Sequence, residues 1–443
     1  MLKGMTATDS RTGPRIVVVG GGMAGHRLAQ QLAARGGPRV LLLSEEEHPP
    51  YNRVLLAEVL AGRYSPEVAA LAPLPGQVEH RQARAVRIDR AQRRVWCDDG
   101  EAVGYDRLVL ATGSNPVLPP LRGLFDDAPA GRQRWGHRPA AKAGGDLPAG
   151  VFAFRTMADC ALIDAHLPHV RQAVVVGGGL LGVSAARALA VRGVQVVLAH
   201  QGEHLMERHL DEEAAELLRV HLTELGVEVH TECRVRSALT EDRRITGVEL
   251  ADGFRLDAEL LIMAAGVRPR TGLALAAGLE VRRGIVVDDR LRTSDPAVHA
   301  LGDCAEHRGT VYGLAGPALA QADRLARILT GQDAPYEGSR LLTRLTLTGP
   351  DSAPLDLAAF GETAPAGPED RVVRLADASR GTYRKVIVRR DEQGGDRLVG
   401  GVLLGDLDTV GDLAGTWEGD EALSAHPLHL LTTQSTTTGG PSR

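Results

Sequence analysis

Short apolar runs ending in glycine alternate along much of the chain with stretches of helical spacing. Arg15–Gly20, RIVVVG, is apolar from its second residue to the glycine and predicts a buried parallel strand. Met23–Arg35, MAGHRLAQQLAAR, follows with helical periodicity and is stopped by Gly36, Gly37 and Pro38. Arg39–Leu43 is apolar again, completing one β-α-β unit. The pattern returns as a strand at Arg171–Gly177, a helix at Leu180–Arg192 and a strand at Val194–Ala199. From Gly20 to Gly177 the two units lie 157 residues apart, and both read VVVGGG-x-x-G. A repeat on this scale predicts two nucleotide-binding domains rather than a solenoid.

Each unit is followed by a strand that runs into a glycine turn, at Asp106–Gly113 and Asp257–Gly266. Ile285–Asp303 returns the chain to a sheet and ends in a Gly-Asp pair, and a helix is expected over Pro317–Leu329 with a stop at Gly331. Ser114–Val151 is rich in Gly, Pro, Ala and charge and predicts a long surface loop, with 126–150 as its breaker-rich part. From Tyr336 the stretches TRLTLTG, LDLAAFGE, YRKVIVRR and RLVGGVLLGD are short strand candidates in a small α+β or mostly β domain. The N-terminal leader and the polar tail 432–443 are expected to be disordered.

At 443 residues the chain is too long for one core. Its 52 glycines are clustered rather than periodic, which suits tight turns and close backbone approach to a ligand. A formal charge of −5 without a basic block argues against nucleic acid. The absence of a long uncharged apolar run argues against a membrane span, and with no secretory-type leader the expected compartment is the cytoplasm. The four cysteines, Cys97, Cys160, Cys233 and Cys304, have neither C-x-x-C nor iron–sulfur spacing, and no metal site is expected.

The candidate chemistry sits on the repeated glycines. In GGGMAG, Gly20 permits the tight turn, Gly22 lets the backbone approach a pyrophosphate, and Gly25 lets the helix pack on the strand. Gly177, Gly179 and Gly182 repeat these roles in GGGLLG. The helix N-terminus behind each turn faces the phosphates with unpaired N–H groups. A carboxylate at the end of the second strand should receive the ribose. In the first unit this is Glu45, the alternative being that the acidic run Glu45–Glu47 is a solvated loop. In the second unit the strand ends at His200, which could stack on adenine, approach a 2′-phosphate, or simply be an exposed strand-end residue. Two such sites in one chain suit a flavin and a nicotinamide, with hydride passing between the cofactors and no acid–base side chain required.

The motifs GGGMAG, ATGSNP (Ala111–Pro116), GGGLLG, AAGVRP (Ala264–Pro269) and LGDCAE (Leu301–Glu306) resemble those of the FAD-dependent pyridine-nucleotide oxidoreductases with two dinucleotide-binding domains. HPPYNRVLLAEVLAG (His48–Gly62), GEHLMERHLD, VYGLAGPALAQA and GSRLLTRLTLTG are similar to the electron-transfer part of NAD(P)H-dependent nitrite reductase large subunits. The resemblance implies an α/β fold of two Rossmann-like, glutathione-reductase-like domains plus a small C-terminal α+β domain. Residues 14–125 and 276–332 would form the FAD-binding domain, 151–275 the NAD(P)-binding domain and 333–431 the small domain. It implies cofactor contacts at Ala111, Thr112, Gly113, Gly266 and Gly302, a ribityl hydroxyl on Asp303, and Arg53, Arg155 and Pro317 near the flavin.

Three departures matter. No redox C-x4-C follows the first motif, and Tyr51–Leu60 has no cysteine. YNRVLLAE ends in Glu58 where flavin ferredoxin reductases often carry lysine. Ser184 stands where an acid often follows the second motif. The expectation is an enzyme passing electrons from NAD(P)H through FAD to a separate redox protein, a nitrite reductase or ferredoxin-type component, with a homodimer allowed. Direct reduction of a small molecule or oxygen, and a non-enzymatic flavoprotein, are the alternatives.

Overall fold

The computed structural model describes residues 15–125, 147–349, 353–377, 379–391, 394–405, 407, 409–419, 422–423 and 426–432. The N-terminal leader, nearly all of the loop expected over 126–150 and most of the expected tail lie outside them. The chain divides into two compact units. One holds residues up to 52 together with 70–114 and 269–339; the other holds 53–69, 115–268 and the chain from 340 onward.

In the first unit Arg15–Val19 forms a strand because RIVVV can bury both faces, and only Arg15 is not fully buried. It pairs in parallel with Arg39–Ser44 on one side and Arg107–Leu110 on the other. Val298–Ala300 and Val78–Gln82 complete a five-stranded parallel sheet. The helix Met23–Ala34 buries Leu28, Ala29, Leu32 and Ala33 on one stripe. It packs against the helix Ala315–Leu329, whose buried Ala318, Ala322, Leu325 and Ala326 present a mostly small-residue face. That helix starts two residues before Pro317, so the proline sits inside the first turn, where its missing N–H costs nothing. An antiparallel meander, Ala85–Asp89, Arg94–Cys97 and Ala102–Gly104, interrupts the unit.

The second unit repeats the plan. Gln172–Val176 pairs in parallel with Gln195–Ala199 and Leu260–Met263, flanked by Val227–His230 and Val151–Ala153. Its motif helix, Leu180–Val191, is buried from Gly182 to Leu189, including Arg187. A meander, Val235–Glu241, Arg244–Leu250 and Arg255–Asp257, occupies the corresponding place. Beyond residue 340 five antiparallel strands run in the order Leu342–Leu347, Leu355–Gly361, Asp396–Leu404, Thr382–Arg390, Asp370–Asp377. Four are the strands expected from sequence. The fifth, DRVVRLAD, is an edge strand without a buried position, so no apolar alternation marks it. The helix Val410–Gly419 closes this sheet, with Trp417 packed on Phe360 at 5.3 Å between ring centroids.

Candidate functional site

The two glycine turns are built alike. Gly20 and Gly177 have φ of +116° and +113°, a region that disfavours side chains. A Cβ on Gly20 would overlap the Ala111 carbonyl, and one on Gly177 the Ala264 carbonyl. A Cβ on Gly25 or Gly182 would overlap the carbonyl of Gly20 or Gly177 respectively, so the helix can approach its strand only with glycine there. Gly22 and Gly179 differ from these. Both have extended backbone, and a Cβ on either would meet nothing within 4 Å. They are the helix N-caps, and neither helix has a side-chain cap or an acid in its first turn. Each turn is therefore an open cradle faced by helix-terminal N–H groups, which fits a pyrophosphate.

In the first unit the glycine turn lies beside a second turn. Ala111 is buried at the end of its strand and donates its N–H to the Val19 carbonyl at 2.8 Å. The Thr112 hydroxyl donates to the Arg270 carbonyl at 2.7 Å, and the Arg270 N–H returns to Gly113 O at 2.8 Å. The Arg270 guanidinium pairs with Glu45. Sequence reading stopped its motif at Pro269 and missed Arg270. Asp303 is half-buried in a short helical turn, Gly302–Cys304, and accepts from the Ser114 hydroxyl at 2.9 Å. Gly302 has φ of +75° and donates to Gln321 Oε1 at 2.7 Å. Ser114 and Gln321 thus both hold the Gly-Asp turn. Gln321 had a legible signal, a glutamine on the apolar stripe of a helix, where it is 1% exposed.

In the second unit Arg53 Nη1 donates to the Arg155 carbonyl at 3.0 Å, which brings together two arginines far apart in sequence. Asp159 fixes the Arg155 segment by accepting from the N–H groups of Arg155 at 3.0 Å and Thr156 at 2.7 Å, in a capping box. Gly266 has φ of +98° and corresponds to Gly113, at +71°. His200 follows the last paired residue of its strand, and its Nδ1 accepts the Gly178 N–H at 3.1 Å. Burial pushes the His200 imidazole below its ordinary pKa, against the opposite pull of the Glu207 carboxylate.

All four thiols are free cysteines, and burial raises each above the ordinary thiol range, Cys160 to about 12. None is poised as a thiolate at neutral pH. Among the described residues no cluster of His, Cys, Asp or Glu could hold a metal, and no helix is long and apolar enough to cross a membrane.

These features, a repeated open glycine cradle on two parallel sheets with a held Gly-Asp turn in the first unit, define a two-nucleotide redox protein. Residues 14–322 match the pyridine nucleotide-disulphide oxidoreductase family, and the chain belongs to it. It is 34% identical over 400 residues to a nitrite reductase [NAD(P)H] of Bacillus subtilis, an alignment covering 88% of this chain and 46% of the relative. It is 33% identical to the assimilatory nitrate reductase electron transfer subunit of the same organism, over 88% of this chain and 48% of the relative. The chain thus spans about half the length of these curated relatives. The crystal structure of a ferredoxin reductase from Rhodopseudomonas palustris superposes with a TM-score of 0.77 at 26% identity, covering 93% of this chain and 96% of that one.

Proposed function

We propose that this protein takes electrons from NAD(P)H and passes them through FAD to a separate redox protein, a nitrite reductase or ferredoxin-type component. The observation that carries the reading is the pairing of two open phosphate cradles with four unreactive thiols. That pairing provides for two nucleotides and no dithiol relay, so electrons leave by another route. The names of the relatives favour the same direction, since they include an electron transfer subunit and a ferredoxin reductase.

On this reading the FAD-binding domain is 14–125 with 276–332, the nicotinamide domain is 151–275, and 333–431 is a small appended domain. The cradle at Gly20, Gly22 and Gly25 would hold the FAD pyrophosphate, and Glu45 its ribose. The turns at Ala111–Gly113 and Gly302–Asp303, with Pro317, would line the rest, and Ser114 would keep Asp303 oriented toward a ribityl hydroxyl. Gly177, Gly179, Gly182, Gly266 and His200 would hold the nicotinamide nucleotide, and Arg53 with Arg155 would border the flavin. FAD, when bound, accepts two electrons as hydride and can release them singly. Free buried cysteines fit a reducing compartment, so we place the protein in the cytoplasm. A homodimer belongs to the same proposal and rests on the family resemblance; sedimentation as a monomer at micromolar concentration would remove it.

The test is NAD(P)H oxidation against oxygen, ferricyanide, ferredoxin, rubredoxin and a siroheme nitrite reductase fragment. Fast turnover with an iron–sulfur protein and slow turnover with oxygen is expected. Fast oxygen consumption with no gain from any protein acceptor would overturn the proposal.

A further inference from the structure

The second nucleotide site lacks the strand-end carboxylate that a dinucleotide fold uses to receive the adenosine ribose. His200 stands there, and its ring is committed: because Nδ1 accepts from Gly178 N–H, the neutral imidazole carries its proton on Nε2. The following loop, Gln201–Glu207, is fastened to the same glycine a second time, by Met206 N–H donating to the Gly178 carbonyl at 2.9 Å. Leu205 and Met206 are buried under it. Met206 has φ of +54°, a left-handed conformation that a non-glycine residue adopts at a cost of about 1 kcal/mol or more. That reversal returns the chain so that Glu207 folds back on Gly202, two residues beyond His200. A Cβ on Gly202 would overlap the Glu207 carboxylate, and Glu207 Oε1 accepts the Glu203 N–H at 3.0 Å. Glu207 is exposed, and among the described residues nothing donates to its Oε2. Gln201–Glu207 contains two glutamates and neither lysine nor arginine.

We propose that Glu207 supplies the ribose-binding carboxylate that the strand end lacks, and that it makes the site favour NADH over NADPH. The inference rests on the reading of this motif as the nicotinamide-nucleotide site. A carboxylate accepts from vicinal ribose hydroxyls, whereas a 2′-phosphate beside Glu207 and Glu203 meets two like charges against the single guanidinium of the adjoining Arg208. The strained turn, tied through Met206 to Gly178, fixes the carboxylate against Gly202, two residues beyond the strand-end His200, before the nucleotide arrives. Its own backbone, rather than the strand, sets the position, so the acid appears seven residues later than the usual spacing.

The test compares the FAD-loaded wild type with Glu207→Gln and Glu203→Gln, by steady-state kinetics with NADH and NADPH and by calorimetric titration with NAD+ and NADP+. Glu207→Gln is expected to raise the KM for NADH with kcat unchanged, and to shift both the kcat/KM ratio and the Kd ratio about tenfold toward the phosphorylated nucleotide. Glu207→Asp is expected to restore part of the preference, and Glu203→Gln to move the ratios less than Glu207→Gln. A ratio unchanged by Glu207→Gln, or moved as far by Glu203→Gln, would overturn the assignment. Calorimetry reads the ratio whether or not the flavin is reduced. An unchanged Kd ratio therefore sinks this assignment, whereas nucleotide binding without flavin reduction sinks the functional reading.

Discussion

The two glycine turns repeat each other closely, and the residues around them do not. Gly20 and Gly177 share a positive φ, and Gly25 and Gly182 share an overlap that only glycine avoids. The strand ends diverge: the first carries Ser44 and Glu45, with Arg270 paired to the acid, and the second carries His200 bound to Gly178. The motif helices are also anchored differently. Arg27 on the first makes a part-exposed pair with Asp323. Arg187 on the second is 1% exposed at its side chain and pairs with Glu58, while Arg63 reaches the same carboxylate at 3.2 Å. The comparison teaches that a phosphate cradle is fixed by backbone geometry and tolerates little variation. Strand-end contacts and helix anchoring are carried by side chains that differ between the units.

Substitutions within the turns should break the likeness most severely. Gly25→Val and Gly182→Val each drive a side chain into a backbone carbonyl that cannot move without the strand, at about 3 kcal/mol or more. Loss of soluble folded protein, followed by circular dichroism and expression yield, is the expected result. Gly22→Ala and Gly179→Ala should instead leave secondary structure intact, because both sites are open and extended. Gly22→Ala is expected to lower FAD content, and Gly179→Ala to keep FAD and raise the nucleotide KM. The reverse pattern would exchange the two assignments.

The helix anchors come next. Arg187→Met removes the buried partner of Glu58, which keeps Arg63, and is expected to destabilise by about 1.5–3 kcal/mol in denaturant titration. Arg27→Met, at a part-exposed pair, should cost about 0.2–1 kcal/mol. Equal effects would show that Arg187 is far better hydrated than its burial indicates. A double variant, Glu58→Leu with Arg187→Met, should recover most of the loss, since it removes both charges of the pair.

A further effect concerns pH. Burial on the strand Val298–Ala300 pushes the His299 imidazole down to about 4. Unfolding restores its ordinary value near 6.5, so between these limits the unfolded chain binds the extra proton. Stability is then fully present above about pH 6.5 and declines as pH falls toward 4, by at most about 1.4 kcal/mol per pH unit from this group. Melting temperatures from pH 7 to pH 5 should fall more steeply for the wild type than for His299→Asn.

Much of this was legible in the sequence because the parallel strands are continuous apolar runs and the glycine spacing is mechanical. The repeat Arg15–Gly20 and Arg171–Gly177 announces both sheets, and the observed strands differ from those ranges by at most one residue at an end. The meanders inserted into each parallel sheet escape a sequence reading, since short half-exposed strands such as Ala85–Asp89 and Arg94–Cys97 carry no continuous apolar run. Within the site, side chains that pair across long stretches of sequence escaped notice. Arg270 meets Glu45 across 225 positions and Ser114 meets Asp303 across 189, separations over which no local spacing exists. Glu207 was hidden for another reason, because a positive φ at Met206 folds it back on Gly202, two residues beyond His200.

The central claim is that the first cradle holds FAD and the second holds the nucleotide that reduces it. Anaerobic mixing of the purified protein with NADH, followed by flavin absorbance, tests it most directly when wild type, Gly22→Ala and Gly179→Ala are run together. The account predicts a yellow wild type that bleaches fast and a Gly22→Ala protein with little flavin to bleach. It also predicts a fully yellow Gly179→Ala protein that bleaches at wild-type extent only at much higher NADH. A wild type that carries nicotinamide in place of FAD, or a bound flavin that NADH and NADPH both leave oxidised, would contradict it.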